Sequence, residues 1–199
     1  MRKTIFIAVV LALSAGPTMA DIFFDDFNSE PIGVPATGLT NWDIVSGSVD
    51  VIGVGSSWNW FPSYVRYLDM DGTAGGGVSG AGTIQTKTSL NLAAGTYTLS
   101  FDLAGNQRAN QYDTVQARVT LGSDIVDQTY SLAWDQPFQT YTVPFTVVTA
   151  GGYDLSFGAS GGDNVGMLLD NVSVVPVPGV VLLGMLGLSV VGVKLRKRA

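Results

Sequence analysis

Apolar and polar residues alternate strictly along several stretches of this chain, and this pattern constrains the fold more than any other feature. In residues 96–103, the apolar set Tyr97, Leu99, Phe101 and Leu103 alternates with Thr96, Thr98, Ser100 and Asp102. Successive side chains of a β-strand point to opposite faces, so a two-residue period predicts a strand with one buried face. The pattern recurs in residues 114–121, 140–147 and 153–157, and a helical period is almost absent from the body of the chain. The sequence therefore predicts an all-β protein.

Shorter apolar segments bring the total to about ten predicted strands, separated by clusters of Gly, Asn, Asp and Ser that favour turns. Pro144 has no N–H to donate to a neighbouring strand, so we expect it at a sheet edge or a bulge. A set of about ten short strands is typical of two packed sheets, which predicts a β-sandwich. The shorter segments are residues 23–27, 42–45, 49–54, 65–69 and 83–90, with a closing strand at 167–174.

The first 20 residues have the layout of a secretory signal peptide. Arg2 and Lys3 precede an apolar run at residues 5–13, and small residues stand near Ala20. This order predicts cleavage by signal peptidase between Ala20 and Asp21. The folded body is then residues 21–175, which is the length of one domain.

The last 24 residues, 176–199, have the layout of a membrane-directed tail. They contain an apolar run of 15 residues at 179–193 and the basic residues Lys194, Arg196, Lys197 and Arg198. As a helix the run would span roughly 22 Å, less than the ~30 Å of a bilayer core. Two interpretations follow: a permanent anchor held by its positive end, or a sorting tail that is removed after export.

Residues 175–199 resemble the C-terminal signal of bacterial PEP-CTERM proteins, which are exosortase substrates. The resemblance places Pro176 and Pro178 on the two prolines of that motif, with Val177 where the family has Glu. It implies a transient inner-membrane anchor, removal of the tail by an exosortase-type membrane protease, and a final location at the cell surface or outside the cell.

Charge is distributed unevenly between the body and the ends. Residues 21–175 hold all 16 acidic residues and only four basic ones, Arg66, Lys87, Arg108 and Arg118, so the body has a net charge of −12. An acidic body repels phosphate backbones, which excludes a nucleic-acid partner. The chain also has no Cys and no His, which excludes disulfides, Cys nucleophiles, His bases and zinc sites of the usual type.

Three short segments of the body resemble exosortase substrates and the galactose-binding-like jelly roll of carbohydrate-binding modules. They are residues 67–72 (YLDMDG), 92–101 (LAAGTYTLSF) and 169–174 (LDNVSV). The resemblance implies a jelly-roll sandwich, often with a structural calcium ion that joins the first strand to the last. Asp25 and Asp26 on the first strand and Asp170 on the last are the candidate ligands, because calcium prefers carboxylate oxygens. Alternatively, each of these carboxylates simply faces solvent.

Aromatic residues are concentrated in residues 58–64. If Trp58, Trp60 and Tyr64 line a loop, their rings form a surface on which sugar rings stack. Alternatively, strand-like alternation sends Trp58 and Trp60 inward as part of the core. Trp42 is predicted to be a core residue and Trp134 a loop residue.

Taken together, these features predict a non-enzymatic exported protein of the cell surface or extracellular matrix that binds glycan or exopolysaccharide. Paired carboxylates can hydrolyse glycosidic bonds, but Glu30 is the only Glu and lies beside a proline in an early turn. The alternatives are a permanently anchored structural surface protein and a secreted polysaccharide hydrolase.

Overall fold

A computed structural model describes residues 21–73, 80–108, 112–121 and 123–178, and for residues 112–121, 123 and 124 it describes the backbone alone. Residues Ala20–Val177 form one compact unit. Within the described ranges the structure contains no helix, and therefore no helix that could cross a membrane. The predicted signal peptide, the apolar run at 179–193 and the basic residues Lys194–Arg198 lie outside the described residues.

The described residues form twelve β-strands. In chain order they are β1 (Phe23–Asp25), β2 (Trp42–Ser46), β3 (Asp50–Gly53), β4 (Arg66–Asp69), β5 (Thr83–Thr86), β6 (Leu90–Leu92), β7 (Gly95–Ala104), β8 (Tyr112–Leu121), β9 (Ser123–Ala133), β10 (Gln139–Val147), β11 (Gly151–Ser160) and β12 (Leu168–Pro176).

The strands form two antiparallel sheets of six strands each, so the predicted two-sheet sandwich is confirmed. The first sheet has the order β10-β7-β12-β4-β3, and β1 also pairs with β12. The second sheet has the order β2-β5-β11-β8-β9, and β6 also pairs with β11. Pro144 lies on β10, the outermost strand of its sheet, as its missing N–H predicts.

The last strand, β12, lies inside the first sheet. One edge of β12 pairs with β7, and the other pairs first with β4 and then with β1. The register shifts between Asp170 and Ser173, where Asn171 has a φ of 51°. The pairing continues past the predicted boundary at residue 175, because Pro176 lies opposite Tyr97 and the Val177 amide donates to the Thr96 carbonyl at 2.8 Å.

The core lies between the two sheets and is built by the residues that alternation assigns to it. Leu99, Phe101 and Leu103 of β7 are fully buried, as are Leu155 and Phe157 of β11. Each such side chain contributes roughly 1.5–3 kcal/mol through burial. The polar set of the same strands faces away from this core.

Trp42 is completely buried, which confirms its predicted place in the core. Its ring packs edge-on against Phe23 at a centroid distance of 5.3 Å and against Phe157 at 6.0 Å. Its indole N–H donates to Asp25 Oδ2 at 2.8 Å, which satisfies the one polar atom of the side chain.

Two parts of the strand prediction were wrong. Residues 83–90 form two strands rather than one, because the chain leaves β5 after Thr86 and begins β6 at Leu90. Strand β9 was not predicted at all. The adjacent Ile125 and Val126 interrupt the alternation there, and the register with β8 shifts between Val119 and Thr120.

Candidate functional site

The outer face of the first sheet, which points away from the core, is covered by a loop and by an aromatic ring. Ile52, Tyr67, Ala104 and Leu168 face outward on four adjacent strands, yet all four are buried in a second hydrophobic cluster. The cover comes from the loop of residues 54–65, which joins β3 to β4, and from Phe138 just before β10. This covered face is the candidate site.

Four rings form an aromatic cluster on this face: Phe61, Tyr64, Tyr67 and Phe138. Tyr64 stacks on Phe138 with ring centroids 4.3 Å apart, and Phe61 and Tyr67 lie 4.8 and 5.5 Å from the same ring. Such pairs contribute about 0.5–1.5 kcal/mol each beyond burial. Phe138 therefore fixes the 54–65 loop to the sheet, although Phe138 is distant from that loop in sequence.

Tyr67 also fixes the loop through its hydroxyl group. That oxygen accepts hydrogen bonds from the amides of Trp60 at 2.9 Å and Phe61 at 3.3 Å. Burial raises the pKa of Tyr67 above its usual value, although the two amides oppose the shift. The hydroxyl stays protonated at physiological pH and holds the loop backbone in one position.

The predicted glycan-binding residues Trp58, Trp60 and Tyr64 all lie in this loop. Since the loop contains no strand, alternation does not apply to it, and neither indole lies between the two sheets. Trp58 is half-buried against the second hydrophobic cluster, whereas Trp60 keeps 39% of its surface exposed. Tyr64, a half-buried member of the aromatic cluster, lies beside Asp102, one of the carboxyl groups described next.

Next to Tyr64, four polar residues form a polar patch on the same face: Asp102, Thr140, Asp170 and Asn171. Asp102 and Asp170 lie directly opposite each other on β7 and β12. The Asp102 carboxylate accepts hydrogen bonds from Thr140 Oγ1 at 2.6 Å and Asn171 Nδ2 at 2.8 Å. Asp170 accepts one from the Asn171 amide at 2.7 Å. Asp102 and Asp170 are only 7% and 2% exposed, whereas Thr140 is exposed and Asn171 is half-buried, so the accessible part of the patch is a hydroxyl group and a side-chain amide beside the half-buried Tyr64.

The environment of the polar patch alters the protonation of its members. The pKa of Asp170 is raised to about 8, mainly by burial and also by the negative charges of Asp102, Asp26 and Asp25. The amide of Asn171 acts in the opposite direction. Burial, followed by Asp102 and Asp170, likewise raises the pKa of Tyr64. At neutral pH the Asp170 carboxyl group is therefore mostly protonated and can both donate and accept.

No protein-family model and no curated protein matches this chain. Solved structures do share its fold. The K1 cleaved adhesin domain of Lys-gingipain from Porphyromonas gingivalis W83 is 14% identical, with a TM-score of 0.51 over 78% of this chain and 98% of that one. The CBM22-1 xylan-binding domain of Paenibacillus barcinonensis Xyn10C is 11% identical, with a TM-score of 0.50 over 80% of this chain and 96% of that one.

A third structure holds the CBM22-1 and GH10 modules of Clostridium thermocellum xylanase 10B complexed with xylohexaose. It is 13% identical, with a TM-score of 0.51 over 80% of this chain and 29% of that one. The fold is the jelly-roll sandwich of carbohydrate-binding modules. At these identities the likeness concerns the fold, and a fold alone does not determine a function.

The predicted calcium ligands have protein partners in this jelly roll. The Asp25 carboxylate accepts hydrogen bonds from the Phe27 amide, Asn41 Nδ2 and Trp42 Nε1, so an ion would compete with three N–H donors. Asp26 is bonded to Asn28. In the described part of the chain, no group of three or more carboxylates is arranged to hold a metal ion. A calcium site at Asp25, Asp26 and Asp170 stays a prediction.

A second set of buried carboxylates at the end of the same face has a structural role. Asp69 accepts from Arg108 Nη2 at 2.7 Å and from the Gly166 amide at 2.8 Å, while Asp71 accepts from the amides of Gly162 and Asp163. Burial raises the pKa of Asp69 to about 8, against the effect of Arg108. These groups hold residues 161–166, the connection between β11 and β12, in place.

Several residues of the site were not identified from the sequence. Asp102 was recognised only as a member of the polar face of a strand, and its position opposite Asp170 depends on the order of the strands. Nothing near Phe138 in the sequence indicates that its ring packs against the 54–65 loop. Likewise, nothing near Thr140 indicates that its hydroxyl bonds to Asp102 of β7.

Proposed function

We propose that this protein is a non-catalytic, polysaccharide-binding component of the cell surface or extracellular matrix, and that it binds glycan on the outer face of its first sheet. The observation that carries the proposal is the position of the 54–65 loop. It presents the exposed Trp60 on the outer face of the first sheet, where its amide bonds to the Tyr67 hydroxyl, and it places the half-buried Tyr64 beside Asp102 of the polar patch.

The chemistry of this arrangement suits a sugar chain. A pyranose ring has apolar C–H faces that pack on exposed aromatic rings, and hydroxyl groups at its edge that donate and accept hydrogen bonds. Carboxyl, amide and hydroxyl side chains can satisfy those groups in both directions. A rigid loop held by Tyr67 and Phe138 also limits the entropy that binding costs.

The fold supports the same proposal. A jelly roll of this kind occurs in a domain described as xylan-binding and in an adhesin domain. The ends of the chain support a route to the outside: cleavage between Ala20 and Asp21, transient anchoring by residues 179–193, and removal of the tail near Pro176–Pro178 by an exosortase-type protease.

Binding is tested with soluble polysaccharides and two matched variants. Trp60→Ala removes exposed ring surface and should weaken binding roughly tenfold, which corresponds to about 1.4 kcal/mol. Val148→Ala removes part of a side chain that is 85% exposed on the turn between β10 and β11, and should leave affinity unchanged. Release of reducing ends during the incubation would instead favour the polysaccharide hydrolase.

The processing route is tested by the intact mass of protein isolated from its native host. We expect a mass that lacks both residues 1–20 and the apolar run. A mature protein that retains residues 179–199 would favour the permanently anchored alternative.

A further inference from the structure

A cleft of about 470 Å³ opens where strand β1 of the first sheet comes close to the segment that joins β5 to β6 in the second sheet. Its volume is within the range of small-molecule sites in proteins. Phe23 of β1 pairs with Val174, which lies on β12 roughly 20 Å from Leu168 under the aromatic cluster. The cleft is therefore separate from the site on the outer face.

Both apolar and polar side chains line this cleft. Phe23 is half-buried and Ile22 keeps 37% of its surface exposed, so the two supply accessible apolar surface. Hydroxyl groups, side-chain amides and one ammonium group can donate and accept hydrogen bonds beside them. The polar lining residues, all of them exposed, are Thr40, Asn41, Lys87, Thr88, Ser89 and Asn91.

Hydrogen bonds to the rest of the fold hold the polar residues of the cleft in place. The Lys87 amide donates to the Asn41 carbonyl at 2.9 Å, and Asn41 Nδ2 donates to Asp25 Oδ2 at 3.0 Å. Ser89 Oγ donates to Asp154 Oδ1 at 2.5 Å. Because these contacts fix the backbone and two of the polar side chains before a ligand arrives, binding costs less entropy.

Lys87 gives the cleft a positive charge within an acidic body. Its ammonium group donates to the Leu39 carbonyl, which leaves two N–H donors, and no carboxylate in the described part of the chain forms an ion pair with it. The described residues that line the cleft include no Asp or Glu. Asp25 and Asp154 already accept hydrogen bonds from cleft residues, and Asp21 is exposed to water. Salt screens the charge of the body at long range, whereas Lys87 acts at hydrogen-bond distance.

We propose that this cleft is a second carbohydrate site, and that it binds a sugar unit carrying a carboxylate, such as a uronic acid. The carboxylate accepts from the two remaining N–H groups of Lys87 in a charge-assisted contact. The sugar hydroxyl groups bond to Thr88 and Asn41, and an apolar C–H face packs on Ile22 and Phe23. The inference does not depend on the site proposed on the outer face.

The test compares oligogalacturonates with their methyl esters, which keep the sugar backbone and lose the charge. Affinities are measured by titration of the full-length protein in EDTA, so that no bound cation bridges the two. The acid should bind roughly fivefold more tightly than the ester. Lys87→Gln should lower the affinity for the acid by a similar factor and should bind acid and ester equally, because the variant and the ester remove the same interaction.

A second pair of variants tests the position of the charge without altering Lys87. Thr88→Glu places a carboxylate on an exposed residue of the cleft and should weaken binding of the acid at least fivefold, with little effect on the ester. Thr129→Glu makes the same change at an exposed position of β9, at the far edge of the second sheet, and should leave both affinities unchanged. Thermal unfolding confirms that each variant is folded.

Several results would overturn the inference. They are additive effects of Lys87→Gln and esterification, an equal response to the two Glu variants, loss of acid binding in Trp60→Ala, and binding of a glutamate tripeptide as tight as that of the sugar acid. Absence of binding to both oligogalacturonate and oligoglucuronate would also overturn it. None of these results except the Trp60→Ala loss bears on the outer face, whose own test uses other polysaccharides.

Discussion

At the scale of single residues, the site depends on polar atoms that organise a loop rather than on reactive groups. The Tyr67 hydroxyl accepts from two consecutive amides of the 54–65 loop, and the Asp102 carboxylate accepts from Thr140 and Asn171. The Asp102 bonds join residues 38 and 69 positions apart, whereas the Tyr67 bonds fix a loop within six or seven residues. Loss of one such atom should therefore affect geometry as well as stability.

Tyr67→Phe should weaken both stability and polysaccharide binding. The change leaves the amides of Trp60 and Phe61 without their acceptor, which costs about 1–3 kcal/mol of unfolding free energy. Tyr97→Phe is the matched control, because the Tyr97 hydroxyl donates to the Ala93 carbonyl at the far end of β7. The control should lower stability and leave affinity unchanged. Equal affinity of both variants, measured by titration, would contradict the positioning role of Tyr67.

The raised pKa of Asp170 predicts a pH-dependent stability. Its carboxyl group binds a proton more tightly in the folded chain, with a pKa of about 8, than in the unfolded chain, where it is 3.8. This contribution is fully present below pH 4 and is lost as the pH rises to about 8. Each such group changes the unfolding free energy by at most about 1.4 kcal/mol per pH unit.

Asp170→Asn should make the unfolding free energy less dependent on pH between 4 and 8. The measurement is a series of denaturant titrations in EDTA at pH 5, 6, 7 and 8. Asp69 has a similarly raised pKa of about 8 and contributes its own slope, so some dependence should remain in the variant. Identical slopes for the variant and the unchanged chain would contradict the burial of a protonated Asp170.

At the scale of elements, the connection between β11 and β12 is held by contacts that tolerate no additional atom. A Cβ on Gly166 would lie 2.2 Å from the Asp71 amide nitrogen and 2.7 Å from Asp69 Oδ1. Gly166→Ala should therefore destabilise the protein by about 1–3 kcal/mol or more. Gly38→Ala, where no atom lies within 4 Å of the added Cβ, should not. Thermal unfolding of the two variants measures the difference.

The pairing of the first and last strands is where a calcium ion would act. If calcium binds Asp25, Asp26 and Asp170, saturating calcium should raise the melting temperature, because a ligand that binds only the folded state stabilises it. Asp26→Asn should abolish that increase. Without calcium the same variant should lose little stability, since the Asp26 carboxylate bonds only to Asn28, two residues away. An unchanged melting temperature with and without calcium would exclude the site.

Elements also show what the sequence could and could not predict. Strands β7, β10 and β11 were predicted because alternation is a local property, and it assigned Leu99 and Phe101 to the core correctly. The fold of the 54–65 loop was not predictable, since its position depends on Phe138 and Tyr67 and therefore on the assembled sheet. The meeting of Asp102 with Asp170 depends on register and strand order, which local patterns do not contain.

At the scale of the whole molecule, the chain leaves the sandwich at the end of β12 that is remote from the aromatic cluster. Leu168, under the aromatic cluster, and Pro176 are at opposite ends of β12, a strand of nine residues. At ~3.3 Å per residue this separates them by about 26 Å. Attachment near Pro176 should therefore leave the site free to bind.

Immobilisation through single cysteines tests this geometry, because the chain has no native Cys. Val148→Cys lies beside Val147, which pairs with Gly95 at the end of the sheet near Pro176. Ser63→Cys lies in the 54–65 loop, between Phe61 and Tyr64 of the aromatic cluster. Protein coupled through residue 148 should bind polysaccharide as free protein does, whereas coupling through residue 63 should reduce binding at least tenfold. Equal polysaccharide binding by the two immobilised forms would place the site elsewhere on the protein.

The position of β12 has a consequence for the order of events during synthesis. This strand is the last part of the sandwich to be made, yet it fills the middle of the first sheet, between β7 on one edge and β4 and β1 on the other. Without residues 168–176 the first sheet has no strand between β7 and β4, so the sheet is incomplete until that segment has been synthesised. If the chain is exported as proposed, an incomplete sheet would be compatible with passage through a narrow translocation channel.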